Sequence, residues 1–107
     1  MFDYVRIAAA VGDLSVGDTV HNTQDIITKM HTASENKADI TVFPELAITG
    51  YTCGDLFFQA ELINGALKGL KEILAESENL FGIFAVGLPL IIRGQLYNCA
   101  VIVKGGK

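Results

Sequence analysis

Ile40-Thr41-Val42-Phe43-Pro44-Glu45-Leu46-Ala47-Ile48-Thr49-Gly50-Tyr51 is the stretch on which the fold turns. Its first four residues show no polar alternation, the pattern of a strand apolar on both faces and buried in a covered sheet. Pro44 has no N–H to give to a ladder, so the strand stops there. A carboxylate follows at once. Glu45 is thereby delivered to the carboxyl end of a central strand, where open α/β sheets build their ligand sites. Gly50 supplies a permissive backbone position, and Tyr51 places an aromatic hydroxyl six residues beyond the carboxylate. The plainer alternative is that Glu45 is a surface acid that happens to follow a strand.

Upstream, Tyr4 to Val11 reads as a first strand, its alanines allowing close approach of another backbone or helix. Gly12 to Asp18 is a loop of turn formers. Asp18 or Thr19 then caps a helix running to about Asn36. Val20, Thr23, Ile27, Met30 and Ala33 form its apolar face, with Asn22, Asp25, Lys29 and Glu35 turned to solvent. His21 and His31, ten residues apart, fall on different faces and cannot share a metal or a substrate. Residues 36–39 connect into the Ile40 strand and complete a βαβ unit.

Downstream, Asp55 is placed to cap a short turn, Leu56-Phe57-Phe58, ahead of a helix from about Ala60 to Ser77. Leu62, Ile63, Ala66, Leu67, Leu70, Ile73 and Leu74 recur on one face of it, and Lys68 and Glu72 make an exposed pair one turn apart. Gly65 and Gly69 weaken this helix by about 1 kcal/mol each unless close packing recovers the loss. Gly82 to Leu88 is a third strand, again apolar on both faces. Pro89 to Ile92 leads to Arg93-Gly94, a two-residue turn, and Gln95 to Lys104 returns antiparallel. On that last strand Tyr97, Cys99, Val101 and Val103 face one way, and Leu96, Asn98, Ala100 and Ile102 the other. Gly105-Gly106-Lys107 reads as the start of another turn, so the chain is expected to be cut short there.

With 107 residues, half of them hydrophobic, the chain has material for one modest domain. A net charge of −4 with scattered basic residues argues against a nucleic-acid partner. Asp3 and Arg6 interrupt any secretion signal, and the uncharged run Asn79 to Ile92 is too short to span a membrane. Cys53 and Cys99 make neither a disulfide framework nor a metal site, which fits a cytoplasmic protein with reduced thiols.

Glu45 is the candidate for the chemistry, supported by its strand end and by the loop that follows. A carboxylate dried by a covered sheet has its pKa raised, as suits a general base. Cys53, eight residues on, is the local candidate nucleophile, while Cys99 lies inside a strand and behaves as a small hydrophobe. Neither has a basic neighbour in sequence to lower its pKa. No set of His, Cys or acid residues has metal-ligand spacing. Gly12 to Gly17 lacks the Lys-Ser/Thr of a P-loop and the glycine pattern of a dinucleotide fingerprint.

Phe43-Pro44-Glu45-Leu46 resembles the glutamate motif of the nitrilase, or carbon–nitrogen hydrolase, superfamily. The longer run Phe-Pro-Glu-Leu-Ala-Ile-Thr-Gly-Tyr-Thr-Cys-Gly-Asp-Leu-Phe, residues 43–57, is similar to the N-terminal glutaminase domain of glutamine-dependent NAD synthetases. Gly87-Leu88-Pro89 and Tyr97-Asn98-Cys99-Ala100-Val101 sit where that family has its next strands. The resemblance implies a piece of a four-layer αββα sandwich spanning residues 1–107. It implies Glu45 as general base of a Glu-Lys-Cys triad and Tyr51 in the glutamine pocket. The family's lysine and cysteine lie beyond Lys107; Cys53, Cys99, Lys104 and Lys107 do not match their motifs. The implied whole enzyme hydrolyses glutamine and passes ammonia to a synthetase domain that amidates deamido-NAD with ATP and magnesium. It is expected to form a homo-oligomer. No metal or cofactor is expected in residues 1–107 themselves.

Two further readings stand beside this one: a piece of a stand-alone nitrilase-type amidase or carbamoylase, and a non-catalytic α/β module acting through protein contacts.

Overall fold

The computed structural model describes residues 6–10, 18–44, 47–48 and 56–107, without the side chains of 56–60 and of Leu96. The element order is β1 (Ile7–Ala9), α1 (Thr19–Glu35), β2 (Ile40–Val42), α2 (Leu56–Ser77), β3 (Ile83–Ile92) and β4 (Gln95–Val103). The strands lie side by side in chain order; β1, β2 and β3 are parallel and β4 closes antiparallel on β3.

α1 begins where the sequence places it. Asp18 accepts the His21 N–H at 3.0 Å, the capping bond that relieves one orphan donor of the first turn. Its other end closes without glycine. Lys37 takes a left-handed backbone (φ 58), and Lys37 and Ala38 donate back to Ser34 and Ala33, a Schellman ending. The Arg6 guanidinium also donates to the carbonyl of Asn36 at 2.8 Å, a cation at the negative end of the helix.

The face α1 buries is rotated from the expected one. Asn22, Thr23, Ile26, Met30 and Ala33 are buried, while Val20 is 70% exposed. Ile26, Met30 and Ala33 already complete the stripe, and the buried polar Asn22 finds a partner described below. α2 starts at Leu56, so the short turn expected there is the first turn of one long helix. Leu67 lies outside its buried face, which Leu62, Ile63, Ala66 and Ile73 make. Lys68 and Glu72 form no ion pair; among the described residues Asp25 and Lys29 do, and His31 hydrogen-bonds Glu76.

β3 runs past Pro89 to Ile92 instead of stopping at Leu88. Ile83 donates to Asp39, and Ala85 and Gly87 accept from Phe43 and Ile48, so the odd-numbered backbone groups of β3 face β2. Pro89 therefore aims its missing donor past the end of β2, and the ladder to β4 loses nothing. The hairpin turns on Arg93 and Gly94, both at positive φ (52 and 79), as a two-residue primed turn requires.

Steps taken in one direction across a parallel sheet, each right-handed, put both crossover helices on the same face. Phe84, Val86, Leu88 and Val103 lie under that cover with Ile26, Met30, Ala66 and Ile73, all buried in one cluster. The opposite face corrects the covered-sheet expectation. The side-by-side Val42, Ala85 and Ile102 belong to it, and Ile102 is 62% and Val42 45% exposed. β2 and β3 are apolar on both faces, yet these residues cover only one.

The helices meet through glycine. A Cβ on Gly65 would stand 2.5 Å from Thr19 Oγ1, and one on Gly69 would collide with Thr23 Oγ1. Close packing thus accounts for both glycines. Gly69→Ala is expected to destabilise the chain by about 1 kcal/mol, since overpacking of about 1–3 kcal/mol outweighs the helix-propensity gain of about 1 kcal/mol. In a Thr23→Ala background the obstacle is gone and the same change should stabilise. Denaturant midpoints of the four proteins in this double-mutant cycle check it; stabilisation by Gly69→Ala alone would refute the close-packing account.

Candidate active site

Glu45, Tyr51 and Cys53 lie outside the described residues. What is described is the frame around Glu45. Phe43 donates its N–H to Ala85 O at 3.0 Å, and Ile48 donates to Gly87 O at 3.3 Å. A regular ladder would bond residue 45 to Gly87; here residue 48 takes that place. Phe43 and Ile48 are thus successive bonding partners of β3. Ala47 and Ile48 are buried, and Pro44 is exposed.

Beside Pro44 lies a cleft of about 300 Å³ lined by Val42, Phe43, Pro44, Ala85, Gly87, Asn98, Cys99 and Ala100. It sits at the carboxyl end of β2, where strand order and crossovers put ligand sites in α/β sheets. The lining is mostly apolar, which strengthens any charge held at its rim. Cys99 is a free, partly buried thiol on β4.

The histidines take no part in this frame. His31 Nε2 is 2.6 Å from Glu76 Oε1, a surface link between α1 and α2. His21 is exposed in the first turn of α1. Among the described residues no group of three His, Cys, Asp or Glu side chains could hold a metal ion, and no helix is long and apolar enough to cross a membrane.

The site holds one described residue that periodicity assigned to solvent. Asn22 is 1% exposed, and its Nδ2 donates to the carbonyl of Ile48 at 2.9 Å. A polar residue beside an apolar stripe reads as solvent-facing. Only the tertiary partner, 26 residues on, shows otherwise.

A parallel βαβαβ sheet whose middle strand ends beside an apolar cleft defines an α/β domain with a candidate site at its carboxyl edge. The chain belongs to the carbon-nitrogen hydrolase family, whose profile matches residues 6–107. A glutamine-dependent NAD(+) synthetase from Xanthomonas campestris pv. campestris is 35% identical over 104 residues, covering 96% of this chain and 18% of the relative. The crystal structure of a glutamine-dependent NAD(+) synthetase from Cytophaga hutchinsonii superposes with a TM-score of 0.83 at 32% identity, over 95% of this chain and 17% of that one. An amidase of the nitrilase superfamily from Nesterenkonia superposes with a TM-score of 0.79 at 22% identity, over 96% of this chain and 40% of the amidase. That last likeness shows the nitrilase-type fold. The chain spans 15 to 19% of the length of the curated relatives it matches.

Proposed function

We propose that residues 1–107 form part of the glutaminase domain of a glutamine-dependent NAD synthetase and contribute the general base Glu45. The match to synthetases of that name along nearly the whole chain at 30–35% identity carries this reading, where the amidase likeness carries fold alone. In it, Glu45 takes the proton of a cysteine nucleophile that attacks the glutamine amide, ammonia leaves, and Glu45 then activates the water that releases glutamate. Tyr51 lines the glutamine pocket. The lysine and cysteine of the triad come from outside residues 1–107, as do the groups that bind ATP, magnesium and deamido-NAD. Homo-oligomer formation fits the bare apolar face of the sheet, and a cytoplasmic setting fits reduced Cys53 and Cys99.

Residues 1–107 alone should release no ammonia from glutamine, because one triad member without its partners retains almost none of the rate acceleration. The protein carrying the complete domain should release ammonia from glutamine and use it to amidate deamido-NAD in the presence of ATP. Ammonia assays on both test the reading. Hydrolysis of simple aliphatic amides in preference to glutamine by the complete protein would move it to the stand-alone amidases; glutamine turnover by residues 1–107 that Glu45→Gln abolishes would overturn the need for outside residues.

A further inference from the structure

Residues 104–107 reverse the chain a second time. Lys104 donates its N–H to Lys107 O, and Lys107 donates back to Lys104 O, both at 3.1 Å. Such a mutual pair is the closing rung of an antiparallel hairpin. Gly105 and Gly106 between them have φ 58 and 83, the positive values of a two-residue primed turn. The turn is also tied to α2. Gly106 donates its N–H to Ser77 Oγ at 2.9 Å, and that hydroxyl donates to Leu74 O at 2.8 Å. Ser77 is fully buried.

The side of β4 on which this rung lies follows from the β3–β4 register. Residues flanking a two-residue turn exchange hydrogen bonds, so Gln95 bonds to Ile92 and the odd-numbered residues of β4 bond to β3. Lys104, like Ala100 and Ile102, aims its backbone groups the other way, to the outer edge of the sheet. Lys107 has already taken the first place on that edge. A strand from a second copy would have to displace it.

We propose that the outer edge of β4 is a strand-pairing surface, and that its occupant is the segment directly following Lys107 in the protein carrying the complete domain. This strand runs antiparallel to β4, with Ser77 holding the turn from which it starts. The Lys104–Lys107 rung sets its register: Ile102 bonds to the second residue after Lys107, and Ala100 to the fourth. Paired residues share a face of the sheet, and Ala100 lines the cleft beside Pro44. The residue opposite Ala100 therefore borders the same cleft. This pairing is independent of the role given to Glu45.

Hydrogen exchange resolved to single amides, in the protein carrying the complete domain, reads the edge directly. The outward amides of Ala100 and Ile102 are expected to exchange within about tenfold of the inward amides of Val101 and Val103. Ser77→Ala leaves the Gly106 N–H without its acceptor and is expected to quicken exchange at Gly106 by about tenfold, the loss of one hydrogen bond. For the register, Ile102→Cys is paired with a cysteine at the second residue after Lys107. Directly opposed residues of this kind lie about 5.5 Å apart between Cα atoms, within disulfide reach. A cysteine at the third residue, on the other face, is expected to form no bond. Fast exchange at Ala100 and Ile102 beside slow exchange at Val101 and Val103 overturns the proposal. So does a disulfide from the third residue and not the second, which marks another register. A disulfide that joins two molecules makes a second copy the occupant and overturns it too. Unchanged exchange at Gly106 in Ser77→Ala overturns the part given to Ser77. The exchange of Ala100 and Ile102 needs no substitution, so it decides even where a cysteine variant fails to fold.

Discussion

On the proposed reading of the complete protein, Glu45→Gln is expected to lower glutamine-dependent NAD synthesis by about 100- to 10,000-fold, the contribution of one general acid–base group. Glutamine keeps the size and hydrogen-bonding outline of glutamate and removes the basic oxygen. Synthesis from added ammonium salt should continue, because free ammonia bypasses amide hydrolysis. Initial rates with the two nitrogen donors, measured on the same preparation with its circular dichroism, separate the outcomes. Equal loss of both activities in a folded protein would make Glu45 a structural acid. The sequence position argues for the base: Glu45 directly follows Pro44, which lines an apolar cleft.

Gly82→Ala should be among the most damaging single changes to stability. Gly82 has φ +103, a conformation side chains rarely adopt, and its Cβ would strike the carbonyl oxygen of Ala38, with Asp39 O at 3.3 Å. Those neighbours are backbone and cannot rotate away. Strain of about 1–3 kcal/mol adds to overpacking of about 1–3 kcal/mol, for a loss on the order of 4 kcal/mol. Against the roughly 5–15 kcal/mol that holds a domain together, that is a large fraction. Gly94→Ala is the control: φ is +79 there but nothing lies within 4 Å, so only the strain remains. Thermal or denaturant midpoints should fall clearly further for Gly82→Ala; equal losses would mean that the contact with Ala38 is relieved at no cost.

Local signals carried much of this architecture. Asp18 capped the helix it precedes, Arg93-Gly94 made the two-residue turn, and Phe43-Pro44 ended the second strand. What escaped was set by distant partners. The Lys37 helix ending uses a left-handed residue that is not glycine, so no glycine marked it. Pro89 looked like a strand end because a proline costs a donor; it costs nothing where no strand faces that donor. The apolar runs of β2 and β3 described a sheet meant to be covered twice, and the described residues supply only one cover. Asn22 was misplaced because a buried amide and a solvated one look alike until the Ile48 carbonyl is found. The family motif named Glu45 and Tyr51, but their roles rest on resemblance and not on periodicity.

The two bonds to β3 have a mechanical consequence. In covalent terms Phe43 and Ile48 follow β2; in terms of what they ride on, both belong to β3, since Ala85 and Gly87 accept their N–H groups. A change in the twist of the β3–β4 hairpin carries both along as passengers. A displacement of β1, two strands away, reaches them only through the sheet. The strand they follow and the strand that steers them are different.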